Sequence, residues 1–244
     1  MPYAREVARN KARLAATFKV YLANGVTSVV DIGGPFWNFD MRDAAQRSPA
    51  APRVSVAGPL ISTVDDPPLD LGDPPIIKIT TADEARALVR RELARQPDYI
   101  KVWFIYRNDA DIAAQEIIVK AAADEAHAAG TPLAVHATQL AVAKAALRAG
   151  ADYLVHSVDD APVDDEFLRL AVARRIVLPD AVRHRWLSIG LSNTWKPTAA
   201  ELRLADPEIL AAMGDLNRIP RELIPDRVLK RMASPPLRTH RTFR

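Results

Sequence analysis

The sequence contains no cysteine among its 244 residues. This excludes disulfide bonds, thiolate zinc sites and cysteine nucleophiles. Long apolar runs are also missing, so the sequence predicts no membrane-spanning segment and no membrane partner. The N-terminal stretch MPYAREVARNKARL lacks the apolar centre of a secretory signal. We therefore expect a cytoplasmic location for the chain as written.

A strong charge of either sign is absent as well, since the net charge is +3. A modest cluster of arginines near the C-terminus (Arg238, Arg241 and Arg244) lacks interleaved aromatic residues and any known binding motif, so no nucleic-acid partner is expected. The length suits one sizeable α/β core. We predict a single domain over residues 1–233, followed by a disordered or non-native tail over 234–244, which has no periodicity.

Three short apolar segments each contain one residue that can bind a metal: Lys101, His136 and His156. The segments read YIKVWF (99–104), PLAVHA (132–137) and DYLVHS (152–157). An amphipathic helix closed by Gly150 separates the last two, and a repeated strand–helix–strand pattern favours a parallel α/β sheet or barrel. Because the carboxyl ends of parallel barrel strands meet at one mouth, we expect the three side chains to share one register and form a cluster.

The remaining pattern predicts further strands at 26–32, 53–57 and 176–179, and helices at 4–24, 40–47, 81–96, 110–129 and 164–175. About six strands result, whereas a closed (β/α)8 barrel of the TIM type needs eight. The fold class is therefore α/β, with an incomplete barrel. The stretch 58–77, rich in Pro and Asp, is predicted to be one long loop, either a lid or a surface excursion.

The bland interpretation of these residues is that a histidine at a strand end is a hydrogen-bonded core residue and a lysine is solvated. Their recurrence on three successive strands favours a functional cluster instead. His127, by contrast, falls in the last turn of a predicted helix, where a polar or positive side chain suits the helix terminus. We interpret His127 as structural.

Two kinds of chemistry suit the cluster. Imidazoles are good ligands for zinc and other first-row divalent ions. A lysine that loses its proton can react with carbon dioxide, and the carbamate oxygens can bridge two ions. A bound metal lowers the pKa of water towards about 7, which predicts hydrolysis of an amide, an ester or a cyclic C–N bond. The alternative is a Schiff-base lysine of the aldolase type, which leaves the two histidines without a joint role.

Four runs of the sequence also resemble a known family. The runs DYIKVWF (98–104), DEAHAAGTPLAVHA (124–137) and ALRAGADYLVHSVDDAPVDDEF (146–167), with NGVTSVVDIGG (24–34) upstream, resemble the amidohydrolase superfamily in its imidazolonepropionase- and prolidase-like branch, over residues from about 12 to about 220. The resemblance implies a (β/α)8 barrel with one or two divalent ions, usually zinc. It further implies that Lys101 is a carboxylated bridging lysine and that His136 and His156 are metal ligands.

The sequence departs from that family at both ends. The family's His-x-His pair does not occur, and no strand ending in Gly-Thr-Asp follows residue 230. We therefore expect a chain truncated at both ends. The alternative to an active hydrolase is that this truncated barrel is catalytically inactive, or that it functions only by pairing with another chain.

The substrate is expected to be a small or peptide-like molecule, and a homo-oligomer is compatible with the sequence. Residues that follow the predicted strand ends are candidates to line the substrate site, on position alone: Trp103, Tyr106, Arg107, Arg183 and His184.

Overall fold

A computed structural model describes residues 3–64, 72–105, 109–158, 160–176 and 198–204, and positions 207, 218, 220 and 222. The chain divides into two compact units, Met1–Pro179 and Asp180–Arg244. The first contains helices α1 (Tyr3–Ala23), α2 (Trp37–Gln46), α3 (Ala82–Leu93), α4 (Asp109–Ala128), α5 (Leu140–Ala149) and α6 (Asp165–Arg174). In the second, the described helix is α7 (Ala199–Leu204). The predicted tail at 234–244 lies outside the described residues.

The strands of the first unit are β1 (Ser28–Asp31), β2 (Arg53–Val56), β3 (Leu60–Ser62), β4 (Ile76–Lys78), β5 (Ile100–Trp103), β6 (Leu133–His136) and β7 (Tyr153–Leu154). They form a β1-β2 pair and a five-stranded sheet in the order β4-β3-β5-β6-β7. Every pairing is parallel. This confirms the α/β class, although the strands of the described ranges do not close into a barrel. The predicted strand at 176–179 falls, after Ile176, outside those ranges.

The prediction of one long loop over 58–77 is wrong. Strands β3 and β4 lie within it and pair in parallel, with Ile61 opposite Ile77. Ile61 is fully buried in the main core, which explains why this segment joins the sheet. Each strand is only three residues long, too short to show a periodicity among the surrounding prolines and aspartates.

Two helix ends follow the sequence signals. Thr81 begins α3 with a capping box: its side chain accepts a hydrogen bond from the Glu84 amide, and the Glu84 carboxylate accepts one from the Thr81 amide. Helix α5 ends at Gly150, whose φ of 119° lies in the region that glycine tolerates best. These local signals set the boundaries of the helices that cover the sheet.

The core shows which way each strand faces. Ile100 and Val102 of β5, like Leu133 and Val135 of β6, belong to the main hydrophobic cluster with residues of α3, α4 and α5. Because side chains alternate along a strand, the other residues of β5 and β6 lie on the opposite face. We call this second face the inner face. It carries Lys101, Trp103, Ala134 and His136.

No helix within the described ranges has both the length and the apolar character needed to cross a membrane.

Candidate active site

The register of the central strands places Lys101 and His136 at different levels of the inner face. Lys101 pairs with Ala134, and Trp103 pairs with His136. Lys101 therefore lies two residues, roughly 6.6 Å along the strand, before the level of His136. The expectation that all three predicted ligands share one register is wrong for Lys101. The pairing is fixed by Ile100 opposite Leu133, two buried residues whose contact the sequence does not reveal.

Three rings form a row at the carboxyl ends of the strands. The Trp103 and His136 ring centroids are 6.2 Å apart at an interplanar angle of 69°. The His136 and His156 centroids are 4.5 Å apart at 76°, an edge-to-face contact. Strand β7 ends at Leu154, so His156 reaches His136 from the segment that follows the strand. The structure thus brings the two predicted histidine ligands together.

Lys101 is buried in the protein interior. The residue is only 3% exposed, and its Nζ donates a hydrogen bond to the Val102 carbonyl oxygen at 3.3 Å. Burial lowers the pKa of Lys101 to about 7, because desolvation disfavours the ammonium form. Near neutral pH a substantial share of this amine is therefore neutral, the form that can react with an electrophilic carbon.

Gly33, which sequence analysis did not single out, covers Lys101. Its φ is +130°, and a Cβ atom at this position would lie 2.7 Å from Leu60 Cδ1 and 3.1 Å from Lys101 Cγ. A larger residue at position 33 would therefore collide with the Leu60 and Lys101 side chains. A glycine pair directly after a strand was the available signal, since glycine there often marks a close backbone approach.

Asp31 ends β1, but its side chain lies on the side of the small Phe18 cluster and not with the predicted ligands. Val29 packs against the small cluster of Phe18, Ala45 and Val54, and alternation places Asp31 on the same side. There Asn38 Nδ2 donates to Asp31 Oδ2 at 2.7 Å. Burial raises the pKa of Asp31, and a hydrogen bond from the Gly33 backbone opposes that rise. Asp31 thus anchors the turn that leads to Gly33 rather than joining the lysine and histidines.

A repeated Asp-Tyr pair, also missed by sequence analysis, positions β5 and β7. Asp98 Oδ2 accepts a hydrogen bond from the Val56 amide at 2.7 Å, and Asp152 Oδ2 accepts one from the Leu133 amide at 2.8 Å. The tyrosines that follow, Tyr99 and Tyr153, meet edge to face with centroids 5.3 Å apart. Each aspartate therefore ties its strand to a neighbouring strand. The visible signal was the repetition of DY before two apolar runs.

Of the remaining predicted residues, four lie outside the described part of the chain and one, His127, lies within it. Tyr106, Arg107, Arg183 and His184 lie outside the described residues, and their proposed contacts with substrate stay predictions. His127 Nε2 lies 2.8 Å from Asp152 Oδ2, at the end of the strands away from the ring row. This contact agrees with the structural role predicted for His127.

The donor set fits a divalent ion only if Lys101 takes part. Within the described ranges, no group of three or more His, Cys, Asp or Glu side chains could hold a metal. Catalytic zinc sites normally have three protein ligands. Two imidazoles in contact supply two, and a buried amine with a pKa near 7 is able to form the carbamate that would supply the third.

The fold is similar to that of solved amidohydrolase- and prolidase-like structures. One similar structure is an amidohydrolase, with a TM-score of 0.60, 22% identity, and coverage of 96% of this chain and 58% of that one. A second is a prolidase complexed with N-methylphosphonate-L-proline, with a TM-score of 0.60, 19% identity, and coverage of 88% and 58%. A third is A. niger ochratoxinase, with a TM-score of 0.59, 21% identity, and coverage of 86% and 52%.

The likeness in structure agrees with the resemblance in the sequence. The chain spans little more than half the length of these structures. No family model matches the sequence, and no curated protein matches it significantly.

Proposed function

We propose that this chain belongs to a metal-dependent hydrolase that cleaves an amide or a cyclic C–N bond. The observation that carries the proposal is the contact between His136 and His156, with their ring centroids 4.5 Å apart. His136 lies on the inner face that also carries the buried Lys101, which is two residues earlier in the register. The amidohydrolase- and prolidase-like fold supports it. In this proposal the parallel sheet forms part of a (β/α)8 barrel, the architecture in which catalytic groups gather at the carboxyl ends of the strands.

Each predicted site residue has a proposed role in binding the metal or the substrate. His136 and His156 would hold one or two divalent ions, zinc in the first instance, and a carboxylated Lys101 would supply the third ligand. When bound, the metal supplies hydroxide at neutral pH and polarises the scissile carbonyl. Trp103, which contacts His136, lines the substrate site. Tyr106, Arg107, Arg183 and His184 are assigned to the substrate by their positions in the sequence.

The substrate class proposed is a small amide or a dipeptide. One of the similar structures is a prolidase with a proline-containing phosphonate bound, so Xaa-Pro dipeptides are a rational start for a screen. Cyclic amides are the second group to test. Hydrolysis of either group would place the protein functionally beside the structures it resembles.

The first test is metal content per chain after expression with zinc and bicarbonate. We expect bound zinc in the wild-type protein and its loss in the double variant His136→Ala/His156→Ala. His127→Gln is the matched control, because His127 lies at the opposite end of the strands, and it should retain the metal. Equal metal in the double variant and the wild type, or no metal in a folded wild type, would contradict the proposal.

A second candidate function rests on the environment of Lys101. Desolvation alone lowers its pKa to about 7, which also suits a Schiff-base nucleophile. The Lys101 amine would condense with a small aldehyde or ketone and lose water, and borohydride would reduce the imine to a secondary amine. Lys101 would then gain the mass of the carbonyl compound less one oxygen atom. We expect no such trapping if the hydrolase proposal holds, and Lys101→Met identifies any labelling at other lysines.

A folded protein that shows neither metal, hydrolysis nor trapping would be an inactive barrel, or one that needs another chain. Light scattering would then test the homo-oligomer expected from the sequence.

A further inference from the structure

Glu92, on helix α3, is a fully buried carboxyl group that the proposed function does not use. Its exposed fraction is 0%, and neither carboxyl oxygen has a hydrogen-bond partner among the residues that the structure describes. Burial raises the pKa of Glu92 well above its ordinary value. A carboxyl group in such a place is tolerated when it is neutral, because an unpaired buried charge is much more costly.

The carboxyl group packs against the β2–β3 break. We use this name for residues 57–59, where the chain passes from the two-stranded sheet to the five-stranded one. A Cβ atom at Gly58 would lie 3.0 Å from both Cδ and Oε2 of Glu92. Gly58 follows Ala57, which bridges to Tyr99, and precedes β3. Since residue 58 has no side chain, the Glu92 carboxyl lies close to the Gly58 backbone and fills the space behind this break.

Gly58 is hydrogen-bonded to the Gly33–Gly34 turn, which lies against Lys101. Its carbonyl oxygen accepts a hydrogen bond from the Gly34 amide at 3.1 Å. The neighbouring Gly33 approaches the Leu60 and Lys101 side chains closely enough to exclude a Cβ atom. A continuous series of contacts therefore runs from Glu92 through Gly58 and the Gly33–Gly34 turn to Lys101.

Charged groups on the surrounding elements are engaged elsewhere. Of the described charged groups, Arg91 is the one that acts on Glu92, and it favours the ionised form; its guanidinium lies over the Phe36 ring. The others are distributed as follows: Arg90 pairs with Glu125 of α4, Arg95 pairs with Asp40 of α2, Arg42 pairs with Asp43, and Asp98 accepts from the Val56 amide. None of these bonds is made to Glu92, so burial dominates its titration.

We propose that Glu92 is a pH-sensitive latch, in which the neutral carboxyl closes the β2–β3 break behind Gly58 and ionisation loosens both the break and the Gly33–Gly34 turn over Lys101. An ionised Glu92 must draw in water or leave its site. Either movement disturbs the Gly58 carbonyl that holds Gly34. The latch is closed at low pH and opens as pH rises. This inference goes beyond the proposed function and does not depend on it.

The test follows the Gly34 amide by hydrogen-exchange NMR, corrected for the intrinsic dependence of exchange on pH. As pH rises above the ordinary range of glutamate titration and through the raised pKa of Glu92, we expect the protection factor of wild-type Gly34 to fall about tenfold or more. In Glu92→Gln, which cannot ionise, it should stay constant. Glu125→Gln is the matched control, because it makes the same chemical change at an exposed pair beside α3, and it should behave like the wild type.

A similar fall in Glu92→Gln and wild type, or no fall in the wild type, would overturn the latch. If Glu92→Gln does not fold, the Glu92 carboxyl carbon of the wild type decides the matter by ¹³C NMR. Its titration midpoint should lie well above the ordinary glutamate value of about 4.3 and coincide with the loss of Gly34 protection. A midpoint near the ordinary value, or one that does not coincide, would exclude the mechanism.

Discussion

The β1-β2 pair and the five-stranded sheet differ sharply in how well their strands are packed. In β5 and β6, three of the four residues of each strand are buried on one face or the other. In β1 none of the four is buried, and Val30 is 55% exposed. The predicted site residues Lys101 and His136 belong to the packed region. The β1 region contributes only the Gly33 turn that covers the lysine.

The reason for the difference is the helix layer behind each region. Alanine-rich faces of α4 and α5 allow these helices to approach β5 and β6 closely, and the main cluster is continuous across them. Behind β1 and β2 the buried cluster consists of Phe18, Ala45 and Val54. Strands under a thick apolar layer open rarely, whereas thinly covered ones open locally. We therefore expect the β1 region to open locally more readily than β5 and β6.

The largest effect is expected from Lys101→Met, which removes the charged group from the packed region while keeping its length. The pKa of Lys101 is about 7 in the folded chain and about 10.4 when unfolded. Folding therefore releases protons, and the wild type loses stability as pH falls from about 10.4 to about 7. Below this range the variant should be more stable by several kcal/mol, at about 1.4 kcal/mol for each unit of pKa difference. Near pH 10.4 the gain should vanish.

This prediction is measured by urea denaturation of the metal-free protein in bicarbonate-free buffer, so that neither a carbamate nor an ion neutralises the lysine. Lys78→Met, at the exposed end of β4, is the matched control and should change stability by less than about 0.5 kcal/mol. Equal effects at the two positions would mean that Lys101 is hydrated in solution, and the contrast between the two regions would then be smaller than the burial suggests.

A matched pair of core truncations compares the two regions directly. Val135 of β6 is fully buried, whereas Val29 of β1 is partly buried against the small cluster. Val135→Ala should destabilise the fold by about 2–3 kcal/mol, from lost burial and a residual cavity, and Val29→Ala by less than about 1 kcal/mol. Both free energies come from denaturant unfolding at one pH. A larger cost at Val29 would show that the β1 region is better packed than its exposure indicates.

The sequence was most informative where a local pattern determines the structure. Apolar residues alternate with Lys101 and Trp103 in β5, and this alternation was enough to identify a strand with one functional face. Thr81 and Gly150 marked helix ends through their own hydrogen bonds and backbone angles. The pairing of His136 with His156 was predictable in kind, because consecutive parallel strands bring their carboxyl ends together.

Features that depend on contacts between distant segments were not predictable. The register that separates Lys101 from His136 is set by which buried residues meet across β5 and β6. Strands β3 and β4 are too short to carry a pattern, and they form because Ile61 has a core to enter. Glu92 lies among charged residues in the sequence, and its buried carboxyl has room beside position 58 because that residue is a glycine.

The smallest effects concern single polar bonds between adjacent segments in the two regions. In the packed region Asp152 accepts from the Leu133 amide and contacts His127. In the β1 region Ser28 Oγ accepts from Arg53 Nε at 3.1 Å on an exposed surface. Asp152→Ala should lower the free energy of unfolding by about 1–3 kcal/mol, because the Leu133 amide at the start of β6 loses its partner. Ser28→Ala should lower it by less than about 0.5 kcal/mol, because water replaces the hydroxyl. Thermal unfolding at fixed pH measures both, and similar costs would show that the exposed bond orders β1 as firmly as the aspartate orders β6.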